Sequence, residues 1–194
     1  MQTYSFYLGL AFYAILASLL FPQAVLSQGF DVGAKFIASG WMGDGEMGKK
    51  YIKLVEGWTE KPHSPPHCVK IQYSPGPKGW GGIYWQNKAD NWGDSPGADF
   101  SKKGYKKINF WAKGEKGGEI VEFKAGGITA PGKKYRDSFE VSLGKVTLTK
   151  EWQSFTIDLT GQNLSSVIGG FCWVTSESAN PGGLTFYLDD IFYE

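Results

Sequence analysis

The sequence predicts an all-β protein, an antiparallel β-sandwich of the jelly-roll kind. Three observations predict it. Glycine supplies 27 of the 194 residues and proline a further 9, so glycine stands well above its ordinary ~7% share. Aromatic residues make up 16% of the chain, and all 8 tryptophans come after residue 40. Beyond the N-terminal apolar run there is no long segment of 3.6-residue period. Instead there are short alternating runs bounded by Gly, Pro, Asn and Asp. A turn-rich, aromatic-rich chain makes many short strands rather than helices. This composition excludes a coiled coil, a helix bundle and a disordered tail.

The elements follow in chain order. Residues 6–21 read FYLGLAFYAILASLLF, and no charge occurs before Asp31. The run is short for a bilayer-spanning helix, which needs ~20 apolar residues. Val25 and Ser27 are small residues at the −3 and −1 positions of a signal-peptidase site, so residues 1–27 predict a signal peptide cleaved after Ser27. Met1–Ser5 lacks the usual Lys or Arg, and the alternative is an uncleaved N-terminal anchor. The expectation is a secreted protein, extracellular or periplasmic, with one β-sandwich domain over residues 28–194.

Within that span the predicted strands are Lys35–Ile37, Tyr51–Glu56, Cys68–Tyr73, Gly82–Trp85, Lys107–Lys113, Ile120–Ala125, Phe139–Ser142, Ser154–Leu159, Gly170–Thr175 and Leu184–Tyr193. Ile108, Phe110 and Ala112 share one face of their strand, opposite Asn109 and Trp111. Phe155, Ile157 and Leu159 form another apolar row. One buried and one solvated face is the pattern of an antiparallel sheet. Glu115–Gly118, Ala125–Gly127 and Asn180–Gly183 read as turns. Glu60–His67, with three prolines, reads as an extended surface connector. One helical turn is predicted at Leu164–Val167, after Asn163 in the capping position.

Lys and Arg number 20 against 19 Asp and Glu, for a net charge of +1, which gives no electrostatic case for nucleic acid or an anionic membrane surface. The single arginine, Arg136, leaves bidentate phosphate forks nearly absent. An oxidising compartment permits a disulfide between Cys68 and Cys172. The alternative is two buried free thiols acting as small hydrophobes.

Several stretches together resemble a known family. They are Gly79–Trp85 with Asn91–Gly93, the strand Lys107–Glu115 (KINFWAKGE), and the closing run Thr185–Ile191 (TFYLDDI). The chain resembles the galactose-binding-like β-sandwiches that serve as carbohydrate-binding modules beside secreted glycoside hydrolases. The resemblance covers essentially all of residues 28–194. It implies a sugar-binding surface and, between an early loop and the last strand, one structural Ca²⁺. Calcium takes six to eight oxygen ligands. On this chain they would come from Asp44 and Glu46 in the early loop and from Asp189 and Asp190 in the last strand, where alternation allows only one of the last two to face inward. No catalytic domain accompanies the module, which implies a partner in trans, such as a secreted hydrolase, or a structural role.

Sugar recognition needs flat apolar surface for pyranose C–H faces and fixed polar groups for hydroxyls. Trp80, Tyr84, Trp85 and Trp92 fall within thirteen residues, interleaved with Gln86, Asn87, Asp90 and Asn91. Alternation puts Trp80, Gly82 and Tyr84 on one face and Gly81, Ile83 and Trp85 on the other, so one set belongs to the core. Trp92, in a Gly/Asp/Asn loop, is the first candidate for solvent exposure, followed by Trp41 and Trp111. Trp58, Trp152 and Trp173 are assigned to packing. The candidate binding residues are therefore Trp41, Trp80, Tyr84, Trp85, Asn91 and Trp92.

Catalysis finds no support. Both histidines lie in the Pro-rich connector. There is no Gly-x-Ser-x-Gly elbow and no phosphate loop. Glu119 and Glu122, as i and i+3 of one strand, face opposite sides and do not form the carboxylate pair of a glycosidase. The sequence thus predicts a secreted, non-catalytic protein that binds a polysaccharide through exposed aromatics. The alternative is a structural or adhesive extracellular protein using the same sandwich for protein contacts.

Overall fold

A computed structural model describes residues 29–48 and 50–194. The predicted signal peptide, residues 1–27, lies outside the described residues. Among the described residues eleven strands form: β1 (Phe30–Asp31), β2 (Ile37–Gly43), β3 (Ile52–Trp58), β4 (Cys68–Tyr73), β5 (Trp80–Gln86), β6 (Lys107–Gly114), β7 (Ile120–Gly126), β8 (Glu140–Thr147), β9 (Gln153–Asp158), β10 (Gly169–Ser176) and β11 (Leu184–Tyr193). A four-residue helix, α1 (Val32–Lys35), separates β1 from β2. Its N-cap Asp31 accepts the Ala34 N–H at 3.0 Å, satisfying one of the orphan donors of a helix start.

The strands pair antiparallel into two sheets. Sheet I has the order β3-β4-β11-β6-β9, with β1 pairing β11, and sheet II has the order β2-β5-β10-β7-β8. Period-2 alternation places the core between them. Ile108, Phe110 and Ala112 of β6 meet Val121, Phe123 and Ala125 of β7, together with Ile83 and Trp85, Phe171 and Trp173, and Phe186 and Leu188. Phe110 packs edge-on against Phe123 and Phe171, with ring centres 4.7 and 5.0 Å apart, a favoured aromatic geometry. Each fully buried side chain of this size contributes ~1.5–3 kcal/mol over the exposed state.

The predicted all-β sandwich is therefore the observed one, with differences at particular elements. Strand β2 starts at Ile37, where alternation placed a strand's end, because Asp31 caps a helical turn in front of it. Leu164–Val167 is not a helix. Val167 bridges Ala98 instead, which ties the preceding loop to the sandwich end. In β11 a bulge interrupts the register between Asp189 and Phe192, and Asp190 takes φ +51°. The bulge cancels the alternation there, so both carboxylates reach the same segment, Ser64 and its neighbour. Both cysteines are buried and free. Cys68 shares the outward face of sheet I with Lys70, and Cys172 lies on the outward side of sheet II among Tyr84, Ile128 and Ile168. The whole sandwich stands between them, so the candidate disulfide does not form. Trp173 is core, as expected, but Trp58 and Trp152 lie on the outward side of sheet I.

Candidate functional site

The outward face of sheet II is built by register. One row crosses all five strands as Met42, Gly82, Val174, Glu122 and Lys145. The next row is Gly40, Tyr84, Cys172, Lys124 and Ser142. Glycine at position 82 is required, since a Cβ there would stand 2.6 Å from Val174 Cγ1. Its absence lets Met42 and Val174 close over the backbone and keeps this row low. Beside it Trp80 stands 41% exposed at the rim of a groove of about 220 Å³. Ile120, Val174, Glu122, Lys145 and Ser176 line the groove's floor and sides.

The polar groups along this face are held in place. Glu122 accepts the Ser142 hydroxyl at 2.7 Å. Lys124 donates to Glu140 at 2.7 Å. The hydrogen bond to Glu140 holds the Lys124 ammonium above its ordinary range, against the opposing effect of burial. Lys124 therefore pairs with Glu140 on the neighbouring strand and not with Glu122 on its own.

Tyr84 lies two residues further along the Trp80 face than Gly82, about 14 Å along the strand from Trp80 at ~3.4 Å per residue. It is buried. Its hydroxyl donates to the Gly126 carbonyl at 2.9 Å, and its ring meets Trp92 edge-on with centres 6.1 Å apart. Ile128, Ile168 and Cys172 complete this small second core, with Met42, Trp92 and Tyr135 packed around it. Two loops bring Trp92 and Tyr135 together. The Tyr135 N–H donates to the Gly93 carbonyl at 3.1 Å, and Lys133 pairs with Asp94 at 2.6 Å. Asp137, buried, accepts the backbone N–H groups of Ile128, Ile168 and Gly169 and so fastens the Tyr135 loop to the start of β10.

The sequence-predicted residues thus separate. Trp80 and Trp92 sit at opposite ends of one outward face, with Tyr84 beneath Trp92. Trp85 is fully buried between the sheets, a correction that follows from Ile83 and Trp85 being the core set of their strand. Trp41 is half-buried and packs against the main core. Asn91 is 3% exposed. Its Oδ1 accepts the N–H groups of Gly93 and Ser95, and its Nδ2 donates to Asn87 Oδ1 and the Ser95 carbonyl. All its polar capacity shapes the loop that presents Trp92. Gln86 is likewise engaged, by Ser39 and the Asn91 carbonyl. The sequence does not single out Val174 or Lys145, while Tyr135 belongs to the polar cluster Tyr135–Ser138, which reads equally as ligand-facing or as loop decoration. The alternation of β7 and β10 carried the signal for the floor, whereas Tyr135 reaches the face through a loop.

The carboxylates suggested for calcium form two separate groups. Asp44 accepts Tyr73 OH (3.1 Å), Gly76 N–H (2.9 Å) and Lys78 N–H (2.8 Å), while Glu46 pairs with Lys78 at 2.6 Å. Asp189 accepts the Ser64 N–H at 2.9 Å, and Asp190 accepts the Ser64 hydroxyl at 2.6 Å and meets His63 Nδ1 at 2.7 Å. Hydrogen-bond donors point at these oxygens, and among the described residues no three His, Cys, Asp or Glu side chains gather as a metal site. The donor set does not fit a calcium ion at these positions. In their place the Asp189–Asp190 bulge clasps the Pro-rich connector, whose His63 stacks on Trp111 with centres 3.8 Å apart.

No protein-family model matches the chain, and no curated protein matches it by sequence. Solved structures do match its fold. The family 11 carbohydrate-binding module of a cellulosomal cellulase of Clostridium thermocellum superposes with a TM-score of 0.53 at 13% identity, covering 84% of this chain and 91% of that one. A family 30 carbohydrate-binding module gives 0.53 at 16% identity, over 82% and 94%. The family 30 module of a second cellulosomal cellulase of the same organism gives 0.53 at 17%, over 80% and 90%. The chain therefore has the β-sandwich fold of carbohydrate-binding modules.

Proposed function

We propose that this is a secreted, non-catalytic protein that binds a polysaccharide along the outward face of sheet II. The observation that carries the reading is Trp80, exposed at the rim of a groove on that face, with Glu122 and Lys145 beside it. A flat ring with fixed polar groups alongside is what a pyranose chain requires, its C–H face on the ring and its hydroxyls on the polar groups. Trp92 and Tyr135 extend the surface at the far end. The likeness in fold to carbohydrate-binding modules supports the same reading. Among the described lining residues the groove carries one carboxylate, Glu122, which supports binding rather than hydrolysis, since glycosidases use a pair.

A protein-contact role has less support. The large exposed apolar side chains among the described residues are Ile37, Met47, Val55 and Trp80. They come from four different segments, whereas a protein partner wants a continuous patch of ~800 Å². A secreted glycoside hydrolase is the partner this reading proposes for such a binder.

The test is retention of the full chain on a panel of neutral insoluble polysaccharides and a glycan array, wild type against Trp80→Ala, with and without a chelator. Retention that is lost in Trp80→Ala and insensitive to chelation supports the site. Retention unaffected by Trp80→Ala refutes it.

A further inference from the structure

The outward face of sheet I carries a second aromatic array, on the side of the sandwich away from the groove. Tyr187 on β11 stands directly opposite Lys70 on β4 and Lys113 on β6. The Lys70 ammonium lies 3.8 Å from the Trp58 ring centre and 5.6 Å from that of Tyr187. The Lys113 ammonium lies 4.9 Å from Tyr187 and 5.0 Å from Trp152. The order across the sheet is ring, ammonium, ring, ammonium, ring. Such cation–π contacts hold the ammonium groups in place.

Among the described residues neither ammonium lies within 4.0 Å of a carboxylate. Lys113 has a long contact of 3.4 Å to the Lys61 carbonyl. Two half-buried cations thus converge on one ring, whose hydroxyl end is held by the Glu115 carboxylate, and an anion placed over the ring between them would form an ion pair with each. Next to them a cleft of about 400 Å³ opens, lined by Trp58, Tyr187, Glu60, Lys61, Lys150 and Glu151 among others. Glu115 also lines it and accepts the Tyr187 hydroxyl, so that phenol is satisfied. Glu60 and Glu151 face the cleft as acceptors for hydroxyl donors.

We propose that this face is a second glycan site, specific for a uronate-bearing chain. It rests on the carbohydrate-binding reading above and adds a ligand class to it. The uronate carboxylate sits between Lys70 and Lys113, with its sugar ring against Trp58 or Trp152. Neighbouring hydroxyls donate to Glu60 and Glu151. Lys70 and Lys113 supply the positive charge over the Tyr187 ring, while Glu115 sits at its hydroxyl and the cleft wall mixes Glu60, Glu115 and Glu151 with Lys61 and Lys150. That arrangement suits a carboxylate on a hydroxyl-rich sugar and disfavours a densely sulfated polymer.

The experiment compares retention of the full chain on polygalacturonate and on a neutral β-glucan, at low salt and at about 0.5 M salt, where exposed charge interactions are screened within ~4–5 Å. The variants are Lys70→Met/Lys113→Met, which keeps the apolar stems over the rings, and the single Lys113→Gln. Wild type is expected to bind polygalacturonate and to lose at least tenfold of that retention in high salt. The double variant loses tenfold or more at low salt, with an unchanged melting temperature and unchanged binding to the neutral glucan. Lys113→Gln loses a smaller share. Trp80→Ala shows the converse pattern, so failure of the sheet II site leaves polygalacturonate retention intact. The proposal is overturned if wild type ignores polygalacturonate at low salt, or if the lysine variants retain it like wild type.

Discussion

Asp137→Asn is expected to remove a specific pH dependence from the stability of the fold. The Asp137 carboxylate is 4% exposed. It accepts from Ile128 N–H at 2.9 Å, from Ile168 N–H, and from Gly169 N–H at 3.2 and 3.3 Å to its two oxygens. Burial pushes its carboxyl from the ordinary 3.8 up to about 6, outweighing the three donors that pull it down, and Glu140 adds to the rise. The native state therefore binds the proton more tightly than the unfolded chain does. The stability this group lends is full below about pH 4 and is lost as pH rises through about 6. The gap between the two pKa values corresponds to ~3 kcal/mol in all, and about 2 kcal/mol of it falls between about pH 4.5 and 7. Urea unfolding of wild type and Asp137→Asn at matched pH values isolates the effect, because the other carboxylates titrate alike in both chains and cancel in the difference. Wild type should lose about 2 kcal/mol relative to the variant across that interval. Parallel curves would refute the argument from burial. A wild type that instead gains stability as pH rises would show that the three N–H donors win.

The other expectations are simpler. Trp80→Ala should weaken polysaccharide retention roughly tenfold to thirtyfold, the loss of one ring's stacking area, while leaving unfolding free energy within ~0.5 kcal/mol. Gly82→Val should destabilise the fold by at least ~2–3 kcal/mol in urea titration, because its side chain enters space held by Val174 and the β10 backbone. Thiol labelling should count two free cysteines in denatured chain and almost none over minutes in native chain. Burial pushes the Cys68 thiol up to about 11 and raises Cys172 further, so little reactive thiolate forms. A reductant should leave the melting temperature unchanged.

The fold was legible because period-2 alternation needs only local sequence. Cys68–Tyr73 and Leu184–Tyr193 run from end to end as read, and Ile108, Phe110 and Ala112 face inward as their spacing requires. The sugar-site reading was legible only in part. Alternation split Trp80 from Trp85 but could not say which set is core, since both are aromatic. Asn91 looked like a ligand reader because a loop asparagine has the right chemistry, yet its four hydrogen bonds all go to its own loop. The Asp189–Asp190 pair followed a rule that a bulge overrides, and a positive φ at a non-glycine leaves no mark in the sequence. Nothing in the local sequence around Trp58 and Trp152 separates them from packing tryptophans such as Trp173. Only the strand order, which puts Lys70, Tyr187 and Lys113 side by side, reveals them as one surface.

The position of β11 in sheet I has a consequence for how the chain comes into being. It lies between β4 and β6 and also holds β1, yet it follows both of them, and all the other described strands, in the chain. Until residues 184–193 have left the ribosome, β4 and β6 face an empty slot, and each presents a bare edge to other chains. Sheet I closes only after synthesis has passed the final strand. A sandwich of such non-local pairings then folds in milliseconds to seconds rather than microseconds. Truncation at Gly183 would therefore leave a split sheet with its hydrophobic interior open, and such a product should be recovered as aggregate. A synthetic peptide carrying β11 would have the slot as its binding site.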